Sequence, residues 1–388
     1  MRRLLVLVAA LVAVDTMLFA ALTPLLPRFT HDLGLSKVEA GVLVGGYAAG
    51  ALVGGLPGGV AAARLGPRRA VLVGLALMGA ASLGFAFAGG FATLFAARFL
   101  QGCASGFTWA GSFAWLLAAA PRERRGELVG SALGAATFGA LFGPVAGAAA
   151  ALAGRGVVFS ALAGLSVVLG AWALRLEPVA TEPPRAAAVV RALRNRRFQA
   201  GLAGMALPSF FYGVLSVLGP LHLSAAGWGA AAIGAVWLVG AAFETAIAPL
   251  AGRVSDRRGP LVPMRLSLAA GAVCSLALAA GLRPLGYVPF VVAAATAWGP
   301  LFTVAFVLLA DGAETSGLPQ AMAFGLMNAA WAVGALVGPA AGGGIASVTG
   351  DAVPFLVCAG LCAAAFAAAR SRHDRAAVLV DRLPRDSA

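Results

Sequence analysis

The chain has 388 residues, of which 61% are hydrophobic and 11% charged, with a mean hydropathy of +0.91. A soluble globule carries about 25% charged residues, so this composition excludes one and indicates a membrane protein. The formal net charge of +13 does not point to nucleic acid, because the arginines are dispersed over short segments between apolar runs.

Roughly twelve runs reach the ~20 residues needed to cross a bilayer. In chain order the first six cover roughly 4–26, 38–60, 70–88, 91–118, 127–151 and 156–174. The second six cover roughly 199–222, 231–251, 261–281, 286–310, 320–347 and 352–369. The opening stretch MRRLLVLVAALVAVDTMLFA has the basic start of a secretory signal. Its apolar run continues past Asp15 to Pro27 without a small-residue cleavage site, so it reads as a retained first span. Of the 28 Lys and Arg residues, only Arg28, Lys37, Arg155 and Arg283 fall on the far side if the N-terminus is cytoplasmic, and Arg98 lies inside a span. Both termini are therefore expected in the cytoplasm of a multi-pass protein. The Ala, Gly and Arg content suggests a GC-rich bacterium, and hence its inner (plasma) membrane. The four cysteines fall within spans and show no metal spacing.

Residues 175–198 form the longest polar interval and are expected to link two bundles, 1–174 and 199–370, ahead of a cytoplasmic tail at 371–388. A basic amphipathic helix on the membrane surface is expected near Arg191 to Arg197. Two internal repeats support the division. Gly130, Gly139, Gly143, Pro144 and Gly147 recur as Gly325, Gly334, Gly338, Pro339 and Gly342, each 195 residues on. GVAAARLGPRR from Gly59 recurs as GRVSDRRGPLV from Gly252, 193 residues on. Halves repeated in parallel around a central site are the architecture of an alternating-access carrier.

With these repeats the chain resembles the major facilitator superfamily over nearly its whole length. The resemblance implies an all-α membrane fold of twelve transmembrane helices in two pseudo-symmetric six-helix bundles. The family's G-x-x-x-D-x-x-G loop is intact in the second copy, at Gly252, Asp256 and Gly259 with Arg257 alongside. In the first copy Gly59, Gly66 and Arg68 are present, but Ala63 replaces the acid. The family uses this loop as a cytoplasmic latch, which would pair Asp256 with the start of the fifth span near Glu127 and Leu128, while Ala63 leaves the mirror contact unmade. The latch is expected to be asymmetric.

Glycines at spacings of four form a groove for a neighbouring helix, and a proline inside a membrane helix is tolerated where neighbours satisfy the freed backbone. Gly139, Gly143 and Gly147, and likewise Gly334, Gly338 and Gly342, are expected to make bent interface helices. The fifth-span copy resembles the signature of the drug:proton antiporter branch. The second copy, and VDTMLFAALTPLLP in the first span, resemble vesicular-amine-transporter-like bacterial exporters.

Asp15, Arg98 and Glu244 are ionisable residues within spans, each costing at least ~2.5 kcal/mol at the bilayer centre, so each is a candidate functional group. RFLQGCASG from Arg98, with Gln101, resembles the family's fourth-span motif, in which the arginine is implicated in proton coupling. Counted from the outer ends, Asp15 lies ~13 Å deep and Arg98 ~10 Å deep, so the two are expected to pair. The alternative is a static ion pair that specifies helix packing only. Glu244, ~20 Å down the eighth span, is expected near the cytoplasmic side, as a second proton site or an acceptor for Arg253 to Arg258. Tyr212, Asn328 and Trp331 supply hydrogen bonds or an aromatic face to a ligand, or serve packing alone.

The expected function is proton-coupled efflux of a small apolar or cationic compound, as a multidrug-type antiporter. The alternatives are proton-coupled uptake of a sugar or organic acid, and a non-transporting sensor on the same fold. No nucleotide-binding loop and no nucleophile with a base or metal cluster is present, so an enzyme and a cofactor are not expected. The expected partners are a small-molecule substrate, protons and the lipid bilayer, without nucleic acid, around a monomer.

Overall fold

The structure is a computed structural model that describes residues 1–121, 124–179, 186–318 and 320–381. The side chains of Arg125, Gly126, Ala186, Asp256, Gln320, Ala321 and residues 370–381 are outside that description. Among the described residues every regular element is helical. The first half holds α1 (Arg2–Ala20), a 3-10 turn (Thr23–Leu25), α2 (Leu26–Leu33), α3 (Lys37–Arg64), α4 (Pro67–Phe87), α5 (Phe91–Ala119), α6 (Arg125–Ala153) and α7 (Arg155–Leu174). After α8 (Ala186–Arg194), the second half holds α9 (Arg196–Ala225), α10 (Ala230–Arg258), α11 (Leu261–Ala279), α12 (Pro284–Thr315), α13 (Gln320–Thr349) and α14 (Ala352–Asp381).

Eleven helical segments among the described residues are long and apolar enough to cross a membrane. The twelfth crossing is α5, 29 residues long, which falls outside that set and carries Arg98 and Gln101 in its first half. Its Arg98, Gln101, Ser105, Thr108 and Ser112 follow steps of three and four, which puts them on one helix face, and all are buried. Turned into the bundle, that face never meets lipid. The first crossing runs further than expected, from Arg2 to Leu33. Pro24 and Pro27 stand at the starts of its later segments, where a missing N–H is least harmful. Gly34, at φ 62°, ends it. Ser36 and Glu39 then start α3 with reciprocal side-chain-to-backbone bonds.

Within the first half α1 packs on α6, α3 on α5, and α4 on α5 and α7. In the second half α9 packs on α12 and α13, α10 on α12, and α11 on α12 and α14. The halves meet chiefly along α3 with α13 and α6 with α10. Alternating crossings bring both chain ends and α8 to one face, here the terminal face. The surface helix stops at Arg194, earlier than expected. Asn195 caps α9 by accepting from the Arg197 and Phe198 amides, so Arg196 and Arg197 begin a crossing instead. Ala188 and Ala192 of α8 are buried against the second half.

The glycine repeats show where helices come close. A side chain on Gly139, Gly143 or Gly147 would overlap Ala13, Ala20 or Ala21 of the first crossing. On Gly334, Gly338 or Gly342 it would press on Ala206, Phe210 or Val214 of α9. These grooves therefore seat helices of their own half. Gly130 and Gly325, the first residues of the two repeats, meet nothing and take no part in the grooves. The prolines mark the junction between halves: a side chain on Gly41 of α3 would meet the Pro339 carbonyl, and one on Gly234 of α10 the Pro144 carbonyl.

Candidate functional site

Asp15 lies toward the end of α1, near the middle of the first crossing, with 4% of its surface exposed. Its Oδ2 accepts from Ser105 Oγ at 2.8 Å and from Trp109 Nε1 at 2.7 Å, two donors one turn apart on α5. Oδ1 has no partner. Tyr47 of α3 donates to the Asp15 backbone carbonyl at 3.3 Å. Beside the carboxylate, between Thr108 and Ser166, lies a cavity of about 10 Å³, the size of one water.

Arg98 is 1% exposed and spreads its guanidinium over three acceptors. Nη1 donates to the Leu18 carbonyl at 2.9 Å and to Gln101 Oε1 at 3.1 Å, and Nη2 to the Phe19 carbonyl at 3.2 Å. Gln101 passes the chain on to Ser82 Oγ at 3.4 Å. The guanidinium carbon sits 4.8 Å from the Tyr47 ring centroid, a favourable place for a cation. The expected ion pair between Asp15 and Arg98 is not formed. Depth along each helix brought them level, but rotation about the axis aims the carboxylate at Ser105 and Trp109 and the guanidinium at α1 carbonyls. Tyr47 lies between them and touches both.

Glu244 is half-buried at the midpoint of α10, fourteen residues from either end, and not near the terminal face. The helix continues to Arg258, beyond the run legible as apolar, which moves its middle. Its Oε2 lies 2.7 Å from the Tyr212 hydroxyl, which is also 2.7 Å from the Ala295 carbonyl. It is Tyr212, and not the Arg253 to Arg258 cluster, that holds the carboxyl. Space for it comes from Gly299 of α12, where any side chain would run into Glu244.

The third group is aromatic. Phe324 and Trp331 of α13 are seven residues apart, two turns or ~10 Å on one helix face, with half-buried Asn328 between them. Trp331 meets Phe19 of α1 edge-on at 5.0 Å. Phe324 stacks on Phe113 of α5 at 5.2 Å and 20°. Among the described residues these are the two ring contacts between halves.

The latch residues stay apart. Gly66 and Gly259 adopt φ of 90° and 79°, which explains glycine at the end of each loop motif. Gly59 and Gly252 face open space. Arg68 donates to the Leu176 carbonyl at 3.1 Å and so ties the end of α7 within its own half, while Arg257 is exposed. Glu127 is engaged by Arg124 at 2.9 and 3.0 Å. The expected contact of Asp256 lies outside the described residues.

Tyr47 and Ser105 carry no charge and drew no attention in the sequence. The steps of three and four along α5 from Arg98 to Ser112 were the signal that marks Ser105. At the face opposite the chain ends, a cavity of about 320 Å³ opens beside Arg28, Asp32 and Arg155. Both guanidiniums there are committed to carbonyls, Arg28 to Ala151 and Arg155 to Ala86 and Ala88.

Residues 6–324 match the family described as Major Facilitator Superfamily. The chain is similar to a solved structure described as the partially occluded, inward-open conformation of the xylose transporter XylE from E. coli. The TM-score is 0.71 at 14% identity, over 94% of this chain and 96% of that one. At that identity the likeness is one of fold. No curated protein matches the chain.

Proposed function

The chain belongs to the Major Facilitator Superfamily, and from that premise we propose that this transporter couples proton entry to the efflux of a small apolar or cationic compound. As a member of a transporter family it is not an enzyme. The observation that carries the proton coupling is Asp15: a carboxylate buried in the first crossing, with no ion-pair partner and with Oδ1 uncommitted among the described residues. Such a group can exchange a proton or meet a substrate cation. Arg98, Gln101 and Tyr47 hold the segment of α1 that carries it. Asn328, Trp331 and Tyr212 face the ligand, and Glu244 is a second acidic group in the other half. The Gly-Pro motif of α6, with its resemblance to the antiporter signature, supports export. The excess of Lys and Arg supports a cytoplasmic terminal face, with residues 1–174 and 199–370 as the moving halves and the paired loops at Gly59 and Gly252 as the latch.

Uptake of a small solute is the second reading, favoured by the fold shared with a protein described as a xylose transporter. Proteoliposomes with an imposed pH gradient decide between them. Efflux predicts substrate moving against the direction of proton flow, and uptake predicts movement with it. Binding without flux of any kind would leave a sensor on the same fold.

A further inference from the structure

Both ring contacts between the halves hang on the buried polar network of the first half, but by different threads. Phe19, which meets Trp331, is held through its backbone carbonyl by Arg98. Phe113, which meets Phe324, is packed 5.5 Å from Trp109, whose indole N–H is bonded to Asp15 Oδ2. We propose that Trp109 is the positioning residue through which the charge on Asp15 sets the closure of the halves at the terminal face.

Oδ2 receives both donors from α5, and a bond to a charged acceptor is roughly twice as strong as one to a neutral acceptor. An indole has one donor, so the carboxylate fixes the rotation of the whole ring. Ser105 is buried and has little freedom to turn, while Trp109 is half-buried and has room to swing. When Asp15 takes a proton, the bond that yields is the one to Trp109. Phe113 then loses its neighbour, and its stack with Phe324 loosens. That stack lies near the terminal ends of α5 and α13, whereas Phe19 and Trp331 lie deeper and answer to Arg98. The response to Asp15 is therefore one-sided, opening the terminal face and leaving the opposite face unchanged. The proposal rests on Asp15 as the group whose charge changes during transport.

Spin labels at positions 69 and 258, exposed on the terminal face of each half, report the separation there, and labels at 89 and 285 report the opposite face. Distances are measured in the full-length protein in vesicles, in four backgrounds: wild type, Asp15→Asn, Trp109→Phe and the double variant. Each single substitution is expected to raise the separated population at 69 and 258 roughly tenfold, the ratio set by one charge-assisted hydrogen bond, and the double variant to go no further. Phe113→Leu, which cuts the stack and leaves the Asp15 bond intact, is expected to give the same shift. Distances between 89 and 285 stay as in wild type. A Trp109→Phe protein indistinguishable from wild type, or effects that add in the double variant, would overturn the proposal. A shift with Trp109→Phe in a protein without proton-driven flux would uphold the link and end the transport reading instead.

Discussion

Asp15 and Arg98 are both buried in the first half, yet they share Tyr47 and make no ion pair. The guanidinium instead closes the carbonyls of Leu18 and Phe19 and the Gln101 amide. That arrangement needs a fork of donors, which lysine lacks. Arg98→Lys keeps the charge but leaves buried acceptors unmatched. It is expected to lower stability by about 1–3 kcal/mol, read from the unfolding midpoint in detergent. An unchanged midpoint would show that the fork has no structural role.

The glycine repeats separate into two groups. Gly139→Ala and Gly338→Ala push a methyl into the backbone of Ala13 and Phe210, and each is expected to cost about 1–3 kcal/mol. Gly130→Ala and Gly325→Ala meet open space and are expected to be neutral or slightly stabilising, because alanine is the better helix former. Thermal unfolding of the four variants checks the division.

Tyr212 has one hydroxyl proton and two oxygens at 2.7 Å, Glu244 Oε2 and the Ala295 carbonyl. An amide at 244 can donate to the tyrosine oxygen while the tyrosine donates to the carbonyl. Glu244→Gln is therefore expected to fold and bind substrate as wild type does. Tyr212→Phe leaves the Glu244 carboxyl without its donor and is expected to destabilise the second half by about 1–3 kcal/mol. Substrate binding and unfolding midpoints measured on both variants test this.

Lys37 at the start of α3 and Asp351 at the start of α14 bridge the halves at the face opposite the chain ends. Both are partly exposed, so the pair contributes about 0.2–1 kcal/mol and is screened by salt. Lys37→Ala is expected to raise the separated population between spin labels at 89 and 285 a few-fold at low salt, with the difference fading at high salt. The charge swap Lys37→Asp with Asp351→Lys is expected to restore the wild-type distances.

The helices were legible because each crossing is an apolar run broken by arginines and turn residues; the structure keeps the starts closely, while several ends run on, to Leu33, Arg64, Arg258 and Thr315. The exceptions have local causes: Asn195 ends the surface helix early, and α10 continues beyond Glu244 for another fourteen residues. Asp15, Arg98 and Glu244 stood out as charges where lipid forbids them. Which side chain meets which charge was not legible, because sequence gives depth along a helix but not rotation about it. Ser105 and Tyr47 are ordinary residues in a membrane helix until the fold turns them toward Asp15.

The central claim is that the uncommitted carboxylate of Asp15 couples proton movement to transport. Its most direct test is substrate flux in proteoliposomes under an imposed pH gradient, wild type against Asp15→Asn, over a panel of dyes, amines and sugars with binding followed in parallel. The account predicts that wild type moves a compound against the direction of proton flow, and that Asp15→Asn still binds that compound but no longer couples its movement to the gradient. Coupled flux of wild-type size in Asp15→Asn would contradict it.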